Sequence, residues 1–171
     1  SGIIINASIA HYGGAEDLGI FNQVYAFYNF LSQLAVFGIH LSILKHISQY
    51  RNNRELSLVI FNSGIVLCLV VSSLFALLTY FFRSVAGMLM NSPSVSFGVG
   101  LISVGLIGFS VNKVFFFTLN GFSRMRAFAV FQSLRYLLLL LGIFLVIFLS
   151  LPGYYFALSL TFAELLLMLL M

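Results

Sequence analysis

Five stretches of this chain stay apolar for about the thickness of a lipid bilayer: residues 18–44, 58–82, 95–119, 127–149 and 154–171. Each is set off from the next by a short polar break that contains glycine or proline or both, or carries the charges. A membrane span takes about 20 mostly apolar residues. In lipid the backbone N–H and C=O groups find no water, so such stretches must satisfy them internally, as helices do. The pattern predicts an all-α fold, a polytopic transmembrane helix bundle of about six helices. One of the six is partial. Residues 1–10 form an apolar piece too short to cross, and Met171 ends a Leu-rich run without a polar or basic flank. The expectation is that 1–171 is a fragment of a longer protein, beginning inside a first span and stopping at the end of a sixth. No basic region precedes the first apolar piece and no small-residue cleavage pattern follows it, which argues against a signal peptide.

Composition narrows the class further. The chain is 61% hydrophobic and 7% charged, with a mean hydropathy of +1.12, whereas soluble domains carry about 25% charged residues. Too few polar side chains exist to coat a soluble fold, so soluble enzymes, nucleic-acid modules and secreted scaffolds are excluded. The formal net charge is +4, but the basic residues lie between apolar runs and form no dense patch, so no nucleic-acid partner is expected. Lys45, Arg51 and Arg54 follow the second span and Arg124 and Arg126 the fourth, while the opposite connections hold Arg83 with the acids Glu16 and Asp17. By the positive-inside rule the even-numbered spans exit into the cytoplasm. The single Cys68 sits inside an apolar run, so no disulfide framework or cysteine-rich metal site is available within the chain. No Ser-His-Asp, HExxH, Walker or GxSxG pattern is present, and neither a cofactor, a metal nor enzymatic bond chemistry is expected.

Polar residues inside the spans carry the candidate chemistry. Asn22, Asn29, Gln33 and His40 are spaced 7, 4 and 7 residues apart, which on one continuous helix places them within roughly 40° of each other. Either a hydrated cavity for a polar solute or a set of interhelical hydrogen bonds accounts for such a stripe. Gly98, Gly100, Gly105 and Gly108 in the fourth span permit close helix packing or, alternatively, bending. Three charges lie within spans: Lys113, Arg135 and Glu164. Each costs about 2.5–3.5 kcal/mol to insert, so each is expected to face a cavity, a partner or an interface. Lys113 lies ~9 Å from the cytoplasmic end of its span, within snorkelling reach of the interface. Arg135 and Glu164 reach similar depths if the last two spans are antiparallel neighbours, which suggests an ion pair. The alternative is that Arg135, with or without Lys113, holds an anionic head group, since its guanidinium fork matches phosphate oxygens. Glu164 would then respond to protons or cations. His11 and His46 fall at span edges and are expected to be interfacial.

The connection Gly14-Ala15-Glu16-Asp17-Leu18-Gly19-Ile20-Phe21, the later Phe37-Gly38-Ile39-His40 with its basic tail, and the link Asn120-Gly121-Phe122-Ser123-Arg124-Met125-Arg126 resemble the N-terminal part of the polysaccharide-flippase family. That family belongs to the multidrug and oligosaccharide-lipid exporter superfamily. Ala15 replaces its usual proline and Asp17 its second glutamate, and the resemblance covers most of the chain. It implies that residues 1–171 are a single domain, the N-terminal transmembrane lobe of a two-lobed carrier in the bacterial inner (cytoplasmic) membrane. The cargo it implies is an undecaprenyl-diphosphate-linked oligosaccharide, moved outward by alternating access for surface polysaccharide such as O-antigen. Arg135 and Lys113 would then attract the diphosphate, and Asn22, Asn29, Gln33 and His40 would meet sugar hydroxyls or cavity water. The implied partners are the bilayer, the lipid-linked oligosaccharide and the C-terminal lobe. A cation-coupled multidrug antiporter of the same superfamily is the nearest alternative, favoured by a carboxylate-rich cavity. A polytopic enzyme such as a polysaccharide polymerase is a more distant one, disfavoured by the short loops.

Overall fold

Gly14 and the pair Phe37–Gly38 decide the path of the first fifty residues. In the computed structural model, which describes residues 2–171, helix α1 runs from Gly2 to Val36, but Gly14 departs from helical geometry at φ 80° and ψ −177°. Glycine alone adopts that backbone without strain. Gly2 and Asn6 before it and Asn29 and Gln33 after it line one cavity, whereas a straight helix would hold Gly2 and Gln33 ~46 Å apart. The chain therefore doubles back at Gly14. A second break follows at Phe37 and Gly38, both at positive φ (46° and 76°). Helix α2, Ile39–Tyr50, leaves it bent by 50° from α1. The stretch 18–44, expected as one continuous helix, is thus two helices joined at an angle.

The remaining elements are α3 (Arg54–Phe81), α4 (Arg83–Leu89), α5 (Pro93–Gly121), α6 (Met125–Phe148), a 3₁₀ turn at Gly153–Tyr155 and α7 (Phe156–Leu170). Helices extend further into the polar breaks than hydropathy alone indicates. Helix α3 starts at Arg54 because the Asn53 side chain caps it, accepting a hydrogen bond from the Leu56 N–H at 3.2 Å. Helix α5 opens on Pro93, whose missing N–H costs nothing in a first turn. The short α4 fills part of the break between 82 and 95, where no helix was expected. Helices α3, α5, α6 and the segment Gly153–Leu170 are long and apolar enough to cross a membrane, and α1 with α2 makes a fifth, bent candidate. The architecture is an all-helical, polytopic bundle.

Helix α5 is its axis, packing against α1, α2, α3, α4 and α7. In its most apolar stretch 56% of residues are buried, against 17% in α3, so α5 is the centre and α3 a lipid-facing wall. The glycines of α5 serve this packing. A Cβ at Gly105 would lie 3.0 Å from Thr161 Cα, and one at Gly108 3.1 Å from the carbonyl carbon and Cβ of Glu164, so α5 and α7 meet backbone to backbone. Thr161 uses that proximity to donate a hydrogen bond to the Leu101 carbonyl at 2.8 Å. The main core gathers Tyr28, Ile102, Leu106, Ile143 and Leu167, and a smaller cluster of Ile39, Ile43, Ile47, Cys68 and Val114 packs α2 and α3 onto α5.

Candidate functional site

A cavity of about 500 Å³ lies between α1, α5, α6 and α7. Asn22, Asn29 and Gln33 enter it from α1, Lys113 from α5, Arg135 from α6 and Glu164 from α7. The three amides share a face because α1 is unbroken between residues 22 and 33. His40 is not on that face. The break at Phe37–Gly38 resets the helical phase, so the seven-residue spacing no longer counts, and His40 is instead buried in α2 with its ring 4.5 Å from that of Phe117. Its placement on the amide stripe is thereby corrected.

Other polar residues line the cavity that the sequence reading did not single out: Asn6, Tyr25, Gln132 and Tyr136. Tyr25 lies three residues after Asn22 and four before Asn29, so helical spacing already marked it as a member of the stripe. On α6, Gln132 lies three residues before Arg135 and four before Tyr136, so the same spacing links it to both. Phenylalanines from α1, α5 and α6, among them Phe21, Phe109 and Phe128, complete the wall.

Glu164 is 2% exposed and its carboxylate joins all four helices. Oε1 accepts from the Tyr28 hydroxyl at 2.9 Å and from Arg135 Nε at 2.7 Å, with Arg135 Nη2 also at 2.5 Å. Oε2 accepts from Asn112 Nδ2 at 2.9 Å, and the same amide donates to the Glu164 backbone carbonyl at 2.8 Å. A buried carboxylate persists only where its charge is paired and its lone pairs are occupied, and here both conditions hold. Arg135 and Glu164 thus meet as an ion pair, and the Nε/Nη2 edge of the guanidinium is committed to it. Tyr28 and Asn112 carry no spacing signal, because their partner lies 136 and 52 residues away along the chain.

Lys113 is differently placed. Its Nζ turns into the cavity and donates to Gln33 Oε1 at 2.5 Å, a neutral partner. Among the described residues the one ion pair between charged side chains is Arg135–Glu164. With Glu164 matched by Arg135, the ammonium of Lys113 is the uncompensated charge of the cavity. Phe109 lies beside both cations, its ring centroid 5.3 Å from Lys113 Nζ and 5.1 Å from Arg135 Cζ. A partly dehydrated pocket with excess positive charge attracts anions, and charge-assisted N–H···O⁻ bonds are the contacts it offers them. The amides and phenols around it offer neutral donors and acceptors suited to hydroxyl groups.

No curated protein and no solved structure matches this chain. A family match extends over residues 2–171, nearly the whole of the helical bundle that encloses the cavity. The chain belongs to the polysaccharide biosynthesis protein family.

Proposed function

We propose that this bundle is one lobe of a carrier that moves lipid-linked oligosaccharide units across the bacterial cytoplasmic membrane by alternating access. Family membership supports a role in polysaccharide biosynthesis, and the cavity supports the finer reading. The observation that carries it is the pairing of an uncompensated cation, Lys113, with an amide and phenol wall formed by Asn22, Tyr25, Asn29 and Gln33. A lipid-linked sugar needs both kinds of contact, a cation for its phosphates and neutral hydrogen-bonding groups for its hydroxyls. Arg135 is held by Glu164 through one edge, so Lys113 becomes the primary phosphate contact and Arg135 the secondary one. A cationic drug would be repelled by the same charge, which favours the sugar-lipid carrier over the antiporter.

Deleting the full-length gene in the source cells tests this. Surface polysaccharide is expected to be lost while complete, unpolymerised repeat units accumulate on their lipid in the cytoplasmic leaflet. Unchanged polysaccharide with new sensitivity to cationic drugs would instead establish the antiporter.

A further inference from the structure

Lys113 and Arg135 come from different helices yet both approach one aromatic ring. Phe109 sits one turn before Lys113 on α5, and both cations lie over its ring, at 5.3 and 5.1 Å from the centroid. The two charges are therefore no more than about 10 Å apart. In a partly dehydrated cavity like charges at this separation repel. The electron-rich face of an aromatic ring offsets that repulsion by attracting each cation. The ring is itself fixed. Phe109 is 9% exposed, and the Tyr28 ring stands against it at 80° with centroids 5.8 Å apart. Tyr28 in turn is tied by its hydroxyl to Glu164. The chain Glu164–Tyr28–Phe109 thus anchors the aromatic surface beside the two cations.

We infer that Phe109 is a positioning residue that holds the Lys113 ammonium and the Arg135 guanidinium as a two-cation clamp for a diphosphate group. The inference deepens the carrier function proposed above and rests on it. A diphosphate offers one phosphoryl group to each cation, through charge-assisted bonds of about 2.8 Å. A monophosphate offers a single phosphoryl group to the pair. By holding the two cations together, Phe109 sets a preference for a diphosphate over a monophosphate.

The test replaces Phe109 in the full-length protein, held in lipid nanodiscs, with mono-, di- and trifluorophenylalanine. Fluorination drains the ring face of charge while barely changing its shape. Binding of inorganic pyrophosphate and of inorganic phosphate is read by calorimetry. Pyrophosphate affinity is expected to fall stepwise along the series, by about three- to tenfold overall, with phosphate affinity changing less. Phe109→Leu is expected to match the trifluoro variant and Phe109→Trp to stay near wild type. Equal pyrophosphate affinity across the series, with the wild type binding, overturns the role of Phe109 and leaves the carrier function standing. A wild type that binds no pyrophosphate overturns both.

Discussion

Glu164→Ala is expected to destabilise the bundle by about 3–5 kcal/mol, the cost of leaving one partner of a buried ion pair behind. The substitution strands the Arg135 guanidinium, and it also removes the acceptor of the Tyr28 hydroxyl and of one Asn112 N–H. These groups belong to α6, α1 and α5, so the loss is felt by every helix around the cavity. Replacing both members of the pair, with Arg135→Met and Glu164→Leu together, is expected to recover most of the stability, because no charge is then left unpaired. Equilibrium unfolding in mixed micelles provides the comparison. A single variant within about 1 kcal/mol of wild type, the range of an exposed pair, would show that the carboxylate does not tie the helices together.

The second large effect is on transport. Lys113→Gln retains a donor for Gln33 and removes the charge, so the fold is preserved while the phosphate contact is lost. A hydrogen bond to a charged group contributes about 1.5–3 kcal/mol, which corresponds to a drop of about tenfold or more in transport. Lys113→Arg keeps the charge and is expected to retain most activity. The measurement is rescue of surface polysaccharide in deletion cells, normalised to the amount of folded protein in the membrane. Full rescue by Lys113→Gln would remove this residue from the pathway.

The helices were legible because membrane insertion averages hydropathy over a whole span, a quantity that survives ignorance of every contact. The breaks were less so. Gly38 signals the end of α1, but the left-handed backbone at Phe37 has no counterpart in residue type, and the stripe drawn from Asn22 ran across the break to include His40. Within the unbroken helix, periodicity placed Asn22, Asn29 and Gln33 on the cavity wall, and by the same arithmetic it offered Tyr25. The site of Glu164 was half legible. Charge and depth brought Arg135 and Glu164 together, while Tyr28 reads as one more aromatic in an apolar run and Asn112 as the neighbour of a lysine. Their roles arise from helix docking, which the glycines of α5 permit and which no local pattern encodes. Lys113, for which the sequence left snorkelling and a cavity position open, donates to the Gln33 amide on the neighbouring helix.

The carrier function is tested most directly by reconstitution. Full-length protein is placed in vesicles whose lipid-linked oligosaccharide is protected from a glycosidase added outside, and exposure of the sugar is followed with time. Protein-containing vesicles are expected to expose it steadily, while protein-free vesicles expose none over the same period. Equal protection in the two sets of vesicles would contradict the account at its centre.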